Sequence, residues 1–132
     1  MRLILGSASP RRLELLAQIG IVPDEIRTAD IDEEPVRREA PRICALRLAR
    51  SKAEAIEADA SDLVLSADTV VAAGVRMLAK PRDAAEAQRF LKLLSGRRHR
   101  VITAIAARRG DETRLKAVET AVRFRRLSDE EL

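Results

Sequence analysis

Aromatic side chains are almost missing from this sequence, with two Phe, no Trp and no Tyr. A protein that stacks single-stranded bases on aromatic platforms is therefore disfavoured. The one cysteine, Cys44, excludes an internal disulfide framework and suits a reducing cytoplasm. It falls within an apolar helical pattern and reads as a core residue, not a nucleophile. With a single histidine, His99, there is no zinc-type Cys/His spacing. Neither a Walker loop nor a dinucleotide-binding glycine fingerprint occurs. No apolar run reaches membrane-spanning length, and Met1–Gly6 is too short and too soon interrupted for a signal peptide. Internal repeats, low-complexity tracts and linkers are absent as well.

What is present is a soluble globular composition, 46% hydrophobic and 35% charged over 132 residues. That length suits a single domain, 1–132, with a modest core. Lys and Arg total 25 against 21 Asp and Glu, for a net charge of +4. Such a balance favours anionic ligands, nucleotides among them.

Helix and strand signals alternate along the chain, which implies an α/β fold with one sheet flanked by helices. Arg2–Leu5 reads as a short buried strand and Gly6–Ala8 as a tight loop. Ser9 suits a helix N-cap, Pro10 the first helical position and Gly20 the stop. Arg11 and Arg12 then lie in the first turn, beside unpaired backbone N–H groups. Two cations there oppose the helix dipole unless an anion sits between them. Strand, small-residue loop and helix start thus outline an anion site.

Val22–Ala29 is expected to form a second strand. Asp30-Ile31-Asp32-Glu33-Glu34 follows as an acidic run, mostly a solvated turn, with Glu33 the carboxylate chosen to face a cleft. A long helix should run from Pro41 to about Ala60 on a stripe of Ile43, Leu46, Ala49, Ala53 and Ile56. Lys52 lies on it and reads, from pattern alone, as a surface lysine. Asp83 with Glu86 forms a capping box for a third helix, which Gly96 ends. His99 lies in a basic turn and reads as a loop residue. Val101–Ala107 and Leu115–Phe124 read as strands joined around Gly110-Asp111. Ser128 with Glu131 is another capping box, so a helix should open in the last five residues, as in a longer chain cut short.

The stretch Leu63-Val64-Leu65-Ser66-Ala67-Asp68-Thr69-Val70-Val71 organises the rest. Two apolar runs meet at Ser66–Thr69, each reading as a buried strand. A carboxylate at such a place is costly unless a charge partners it. Either Asp68 stands at a strand end facing a polar cleft, or it caps a turn between two strands.

Five blocks, Ser7-Ala8-Ser9-Pro10-Arg11-Arg12, Ile31-Asp32-Glu33, Ser66-Ala67-Asp68-Thr69-Val70-Val71, Lys80-Pro81 and Leu94-Ser95-Gly96-Arg97-Arg98-His99-Arg100-Val101, together resemble the Maf family in order and spacing. The resemblance implies an inosine triphosphate pyrophosphatase-like mixed sheet with a nucleotide cleft. It also implies hydrolysis of the α–β phosphate bond of a nucleoside triphosphate, with a divalent metal, Mg²⁺ or Mn²⁺. By the same resemblance Asp68 is the catalytic acid/base and Glu33 a second active-site carboxylate, both able to hold the metal. Ser9, Arg11, Arg12, Lys52 and Lys80 match nucleotide and phosphate contacts. Arg11 and Thr69 match positions that mark the dTTP/UTP branch. The family continues beyond the helix that starts at Ser128, into a Lys-Ala-Gly-Ala-Tyr-like motif and a substrate-contacting Gln, which this sequence lacks. The C-terminal part of the fold is accordingly expected to be missing.

The resemblance implies a cytoplasmic enzyme with a nucleoside triphosphate as partner, no membrane, and a homodimer as a compatible assembly. The rival readings are a 7-methyl-GTP pyrophosphatase, a non-catalytic regulator of septum formation with the same fold, and a nucleic-acid-binding module suggested by charge alone.

Overall fold

The computed structural model describes every residue except Ala8, Pro35, Arg37, Val75, Ala79, Lys80, Pro81 and Leu132. Strands β1 (Leu3–Leu5), β2 (Glu25–Ile26), β3 (Leu63–Ala73), β4 (Arg76–Leu78), β5 (Arg98–Arg109) and β6 (Glu112–Arg123) form one mixed sheet. Helices α1 (Pro10–Gln18), α2 (Pro41–Ala55) and α3 (Ala84–Leu94) punctuate them. The sheet order is β2-β1-β3-β5-β6, with β4 pairing β3. β1 runs parallel to β2 and β3, while β3, β5 and β6 are antiparallel neighbours.

The core lies between α2 and the face of the sheet that carries the even-numbered residues of β3 and β5. Ile4, Val64, Ile102, Ala104 and Ala106 meet Cys44, Ala45, Leu48 and Ala49 there. The helix stripe is rotated from the expected one. Ile43 is 55% exposed, and Cys44, Ala45 and Leu48 turn inward instead. Small residues dominate because α2 lies close on the pleat, where Ala45, Ala49, Ala53, Ala104 and Ala106 are fully buried. Cys44 is core, as its pattern implied, and burial pushes its thiol up to about 11.

Helix α2 stops at Ala55, before the expected Ala60. Ile56 turns extended, and its carbonyl and that of Glu57 accept from Arg108 and Arg27. Side chains thus satisfy the carbonyls at the helix end. The second strand is only Glu25–Ile26, because the rest of Val22–Ala29 has no ladder partner. Local signals fared better. Gly96 and Gly110 hold φ of 66° and 60° where a helix stop and a turn were expected. Asp83 accepts from the Glu86 N–H, while the Glu86 carboxylate takes the Arg82 N–H. At Ser128 only half of the capping box forms: its N–H and hydroxyl both donate to Glu131 Oε1, while the Glu131 N–H goes to the Ser128 carbonyl, around a single 3₁₀ turn, Asp129–Glu131.

Asp68 lies in neither of its expected settings. β3 is one continuous strand of eleven residues, and Asp68 is in its middle. The strand tolerates the carboxylate because a cation from α2 meets it. His99, expected in a loop, lies on β5 and is 5% exposed, its ring edge-on to Phe124 with centroids 4.8 Å apart. The β5–β6 ladder runs from Arg98↔Arg123 to Arg109↔Glu112 and draws the basic turn into the sheet.

The sheet has a notch. On one edge, β3 pairs with β5 from Leu63 to Ala72. On the other, pairing with β1 ends at Leu65 and pairing with β4 begins at Val71. Between them Ser66–Val70 has no strand partner on that edge among the described residues. Gly6 closes the β1 side, its N–H donating to Leu65 O at 2.7 Å. A Cβ on Gly6 would lie 2.5 Å from Ser66 Oγ, a buried hydroxyl without a partner. Gly6→Ala is therefore expected to cost about 1–3 kcal/mol through overpacking. Ser66→Ala alone should cost little, since it removes an unpaired polar atom, and it should recover most of the loss in the double variant. Denaturant melts of the three variants measure this, and an unchanged midpoint for Gly6→Ala contradicts it.

Candidate active site

Strand alternation decides which side chains meet at the notch. Val64, Ser66, Asp68 and Val70 face α2, and Leu65, Ala67 and Thr69 face the other way. On the α2 side, the Lys52 ammonium donates to Asp68 Oδ1 at 2.7 Å and pairs with Glu33 Oε1 at 2.9 Å. The Asp68 side chain is 11% exposed, that of Lys52 22% and that of Glu33 60%. Burial alone would pull the Lys52 ammonium down. The hydrogen bonds to Asp68 and Glu33 outweigh it and hold the group above its ordinary value. Lys52 is thus no surface lysine, and Glu33 is the acidic-run residue that faces it.

The other expected contacts border the notch from the end of β1. Ser9 is the residue before α1, but its hydroxyl makes no capping bond, and the first turn of α1 carries no acid. Arg11 and Arg12 occupy that turn. Arg12 Nη1 donates to Ser7 Oγ at 3.2 Å, and Ser7 Oγ also accepts the Ser9 N–H at 3.1 Å. Uncapped helix N–H groups and two guanidinium groups make a positive rim. Thr69 lies on the face opposite Asp68, its hydroxyl 3.1 Å from that of Thr103. That face also holds a mostly apolar cleft of about 240 Å³ between α1 and the sheet, with Arg12, Ala67 and Thr103 among its lining. Lys80 lies outside the described residues. The structure therefore joins Asp68, Lys52 and Glu33 directly and sets Arg12 and Thr69 across the sheet from them. A larger cavity of about 470 Å³, lined by Arg2, Arg27, Glu57 and Arg108, lies near Leu63 at the far end of β3. Two of its arginines are occupied by the end carbonyls of α2.

Two carboxylates converging on one ammonium form a donor pair that a small divalent cation can use. Hard oxygen ligands suit Mg²⁺ or Mn²⁺, which usually keep one or two carboxylates and complete their shell with water and phosphate oxygens. No cluster of three or more His, Cys, Asp or Glu is gathered among the described residues. Asp68 and Glu33 would be the protein's share. Sequence reasoning missed Ser7, Thr103, Glu39 and Arg47. Ser7 lay inside a quoted block and Thr103 opposite Thr69, a relation visible only once the β3–β5 register is known.

The Arg47–Glu39 pair anchors the loop that carries Glu33. Arg47 holds the Glu39 carboxylate with Nε–Oε2 at 2.7 Å and Nη2–Oε1 at 3.0 Å. The hydrogen bond from Arg47 pulls the Glu39 carboxyl down to about 2, against the opposing effect of burial.

Fold and site together define the class of the chain. The solved structure of the Staphylococcus aureus Ham1 protein superposes with a TM-score of 0.56 at 15% identity, covering 92% of this chain and 70% of that one, which establishes a shared fold. The family model described as Maf-like protein matches residues 2–132, and the chain belongs to that family. A relative from Ruegeria, named dTTP/UTP pyrophosphatase, is 58% identical over all of this chain and 68% of its own length. One of the same name from Cereibacter sphaeroides is 60% identical over all of this chain and 69% of its own.

The Glu39 shift has a pH consequence. A carboxyl whose folded value is depressed contributes stability above its unfolded value and loses it as pH falls through the folded one. The pair's contribution should be complete above pH 4.5 and fade towards about 2. Glu39→Gln should be less stable than the parent at pH 6, and the gap should narrow below pH 4.5. Chemical denaturation at stepped pH reads this out, and a constant gap contradicts it.

Proposed function

We propose that this chain is a nucleoside triphosphate pyrophosphatase that splits the α–β phosphate bond of dTTP or UTP into nucleoside monophosphate and pyrophosphate. The observation that carries the reading is the Asp68–Lys52–Glu33 array at the sheet notch, beside the cationic start of α1. The names of the relatives support the substrate choice.

In this reading the triphosphate crosses the notch. Arg11, Arg12 and the N–H groups of α1 take the phosphate tail, with Lys80 as a further phosphate contact. Charge developing on the departing pyrophosphate is met by fixed cations, which need no reorganisation during the reaction. Bound to Asp68 and Glu33, Mg²⁺ or Mn²⁺ would polarise the α-phosphate. Asp68 accepts the proton of the attacking water, its carboxylate aimed by Lys52. Lys52 keeps Asp68 and Glu33 charge-balanced and can turn to phosphate when substrate enters. Arg11 and Thr69 contact the base side of the ligand. We place the reaction in the cytoplasm and its substrate in the nucleotide pool. Among the described residues no helix is long and apolar enough to cross a membrane.

Asp68→Asn should lower turnover by about 10²–10⁴-fold, the range for a lost acid/base group. Pyrophosphate release from dTTP with Mg²⁺ or Mn²⁺ is the assay, and near-parental turnover in a folded variant removes Asp68 from the chemistry. Arg12→Ala should weaken dTTP much more than dTMP, because the residue is assigned to the phosphate tail. Calorimetric titration with both nucleotides tests this; equal losses would remove Arg12 from the tail.

A further inference from the structure

The segment before α2 is held in a way that its own sequence does not require. Glu33 is an exposed residue of an acidic run, yet its carboxylate is directed at one ammonium. Three restraints surround it. Asp32 Oδ1 accepts the Glu34 N–H at 3.0 Å, which fixes the peptide after Glu33. Arg47 Nη2 reaches the Glu34 carbonyl at 3.1 Å. The same Arg47 grips Glu39, whose side chain is 7% exposed and whose Oε1 also accepts the Val36 N–H at 3.2 Å. Between them Arg38 holds φ at 64°, a left-handed conformation that costs a non-glycine residue about 1 kcal/mol or more. Strain of this kind persists only where the surroundings over-determine it.

Arg47 and Lys52 are both on α2, so a rigid helix sets the spacing between the anchor and the ammonium that Glu33 reaches. We propose that Arg47 is a positioning residue that delivers Glu33 to Lys52, by tying the Glu34 carbonyl and the Glu39 carboxylate to the helix that carries the ammonium. The guanidinium is suited to this, because its planar fork serves a carboxylate and a carbonyl at once, which a lysine ammonium cannot do in the same geometry. Among the described residues the side-chain bonds of Arg47 go to Glu34 and Glu39, not to Asp68. It acts through Glu33. This inference rests on the pyrophosphatase reading for its role in catalysis, but its geometric content can be tested without activity.

The test is pulse acetylation of the folded chain with acetic anhydride, read lysine by lysine by mass spectrometry. The sequence has four lysines, 52, 80, 92 and 116, so Lys92 and Lys116 serve as internal controls. An ammonium held by carboxylates reacts slowly. Glu33→Gln should speed acetylation of Lys52 by about two- to five-fold, the weight of a partly exposed ion pair. Arg47→Lys, which keeps the charge, should speed it to the same extent. The double variant should match either single one, since both act through the same contact. A merely structural clamp predicts otherwise: Lys52 at the parental rate in Arg47→Lys, or additive effects in the double variant, and either result overturns the proposal. Thermal melts accompany each variant, and Glu39→Gln replaces Arg47→Lys if the latter does not fold. Pyrophosphate release is measured in parallel. If the parent releases none while the acetylation pattern holds, the functional reading fails and the positioning role stands. If the parent is active and the pattern is absent, the positioning role fails alone.

Discussion

A carboxylate in the middle of a buried strand has to be met by a cation, and the rest of this molecule is arranged around meeting it. Asp68 is 8% exposed, on the face of β3 that packs against α2. Left alone there it would neutralise or unfold its surroundings. Lys52 supplies the charge from the adjacent helix, 16 residues away in sequence. Ion pairs of this kind add little net stability, because desolvation offsets most of the attraction. Loss of one partner is another matter and costs about 3–5 kcal/mol where the pair is well buried. A pair that contributes little by existing and costs much by breaking is better explained by the site than by the fold.

The second constraint is the notch. A ladder of backbone bonds would normally seal both edges of a central strand, and side chains on opposite faces would then never share a ligand. Here pairing with β1 ends at Leu65 of β3 and pairing with β4 begins at its Val71. Among the described residues Ser66–Val70 thus has no strand partner on that edge, with Asp68 on one face and its sequence neighbour Thr69 on the other. β1 is parallel to β3, so the gap opens where β1 ends and α1 begins. Parallel pairing thereby leads the chain from the end of β1 into α1, whose start has no capping bond from Ser9 and no acid in its first turn.

Much of this was legible where the signal is local. Asp83 with Glu86 and the glycines Gly96 and Gly110 took the conformations their chemistry calls for, because a cap or a left-handed φ depends on few neighbours. The five-block pattern named the family. What failed depended on distant partners. Asp68 looked like a break between strands because nothing near it in sequence could balance its charge. Lys52 looked like a surface residue for the same reason, since its partners come from β3 and from the loop before α2. The inward face of α2 was misjudged at Ile43, where the choice between neighbouring faces was made by how close small residues let the helix approach the sheet. His99 was drawn from a basic turn into a strand by the long β5–β6 ladder, which no short window reveals.

The site also divides by rigidity, and that division bears on how it would work. Asp68 and Lys52 lie on β3 and α2, which share the dense core of Ile4, Val64, Ile102 and the small residues around them. Regions of that kind open only with global unfolding. Helix α1, by contrast, has no fully buried residue, and Leu15 on it and Ile19 just after it are 48% and 69% exposed. Its contacts include the Arg12–Ser7 bond and an apolar cleft that it does not fill. The arginines at its start therefore lie on the more weakly held wall of the notch. A polyanion that bridges the two walls gains most from drawing α1 towards the fixed carboxylates, so ligand binding and the ordering of α1 should be coupled in one free energy. Glu33 belongs to neither wall by packing. It is exposed and comes from a loop held to the rigid side by the packing of Ala29 and Ile31 on the core before it and by the bonds that tie Glu34 and Glu39 to α2 after it.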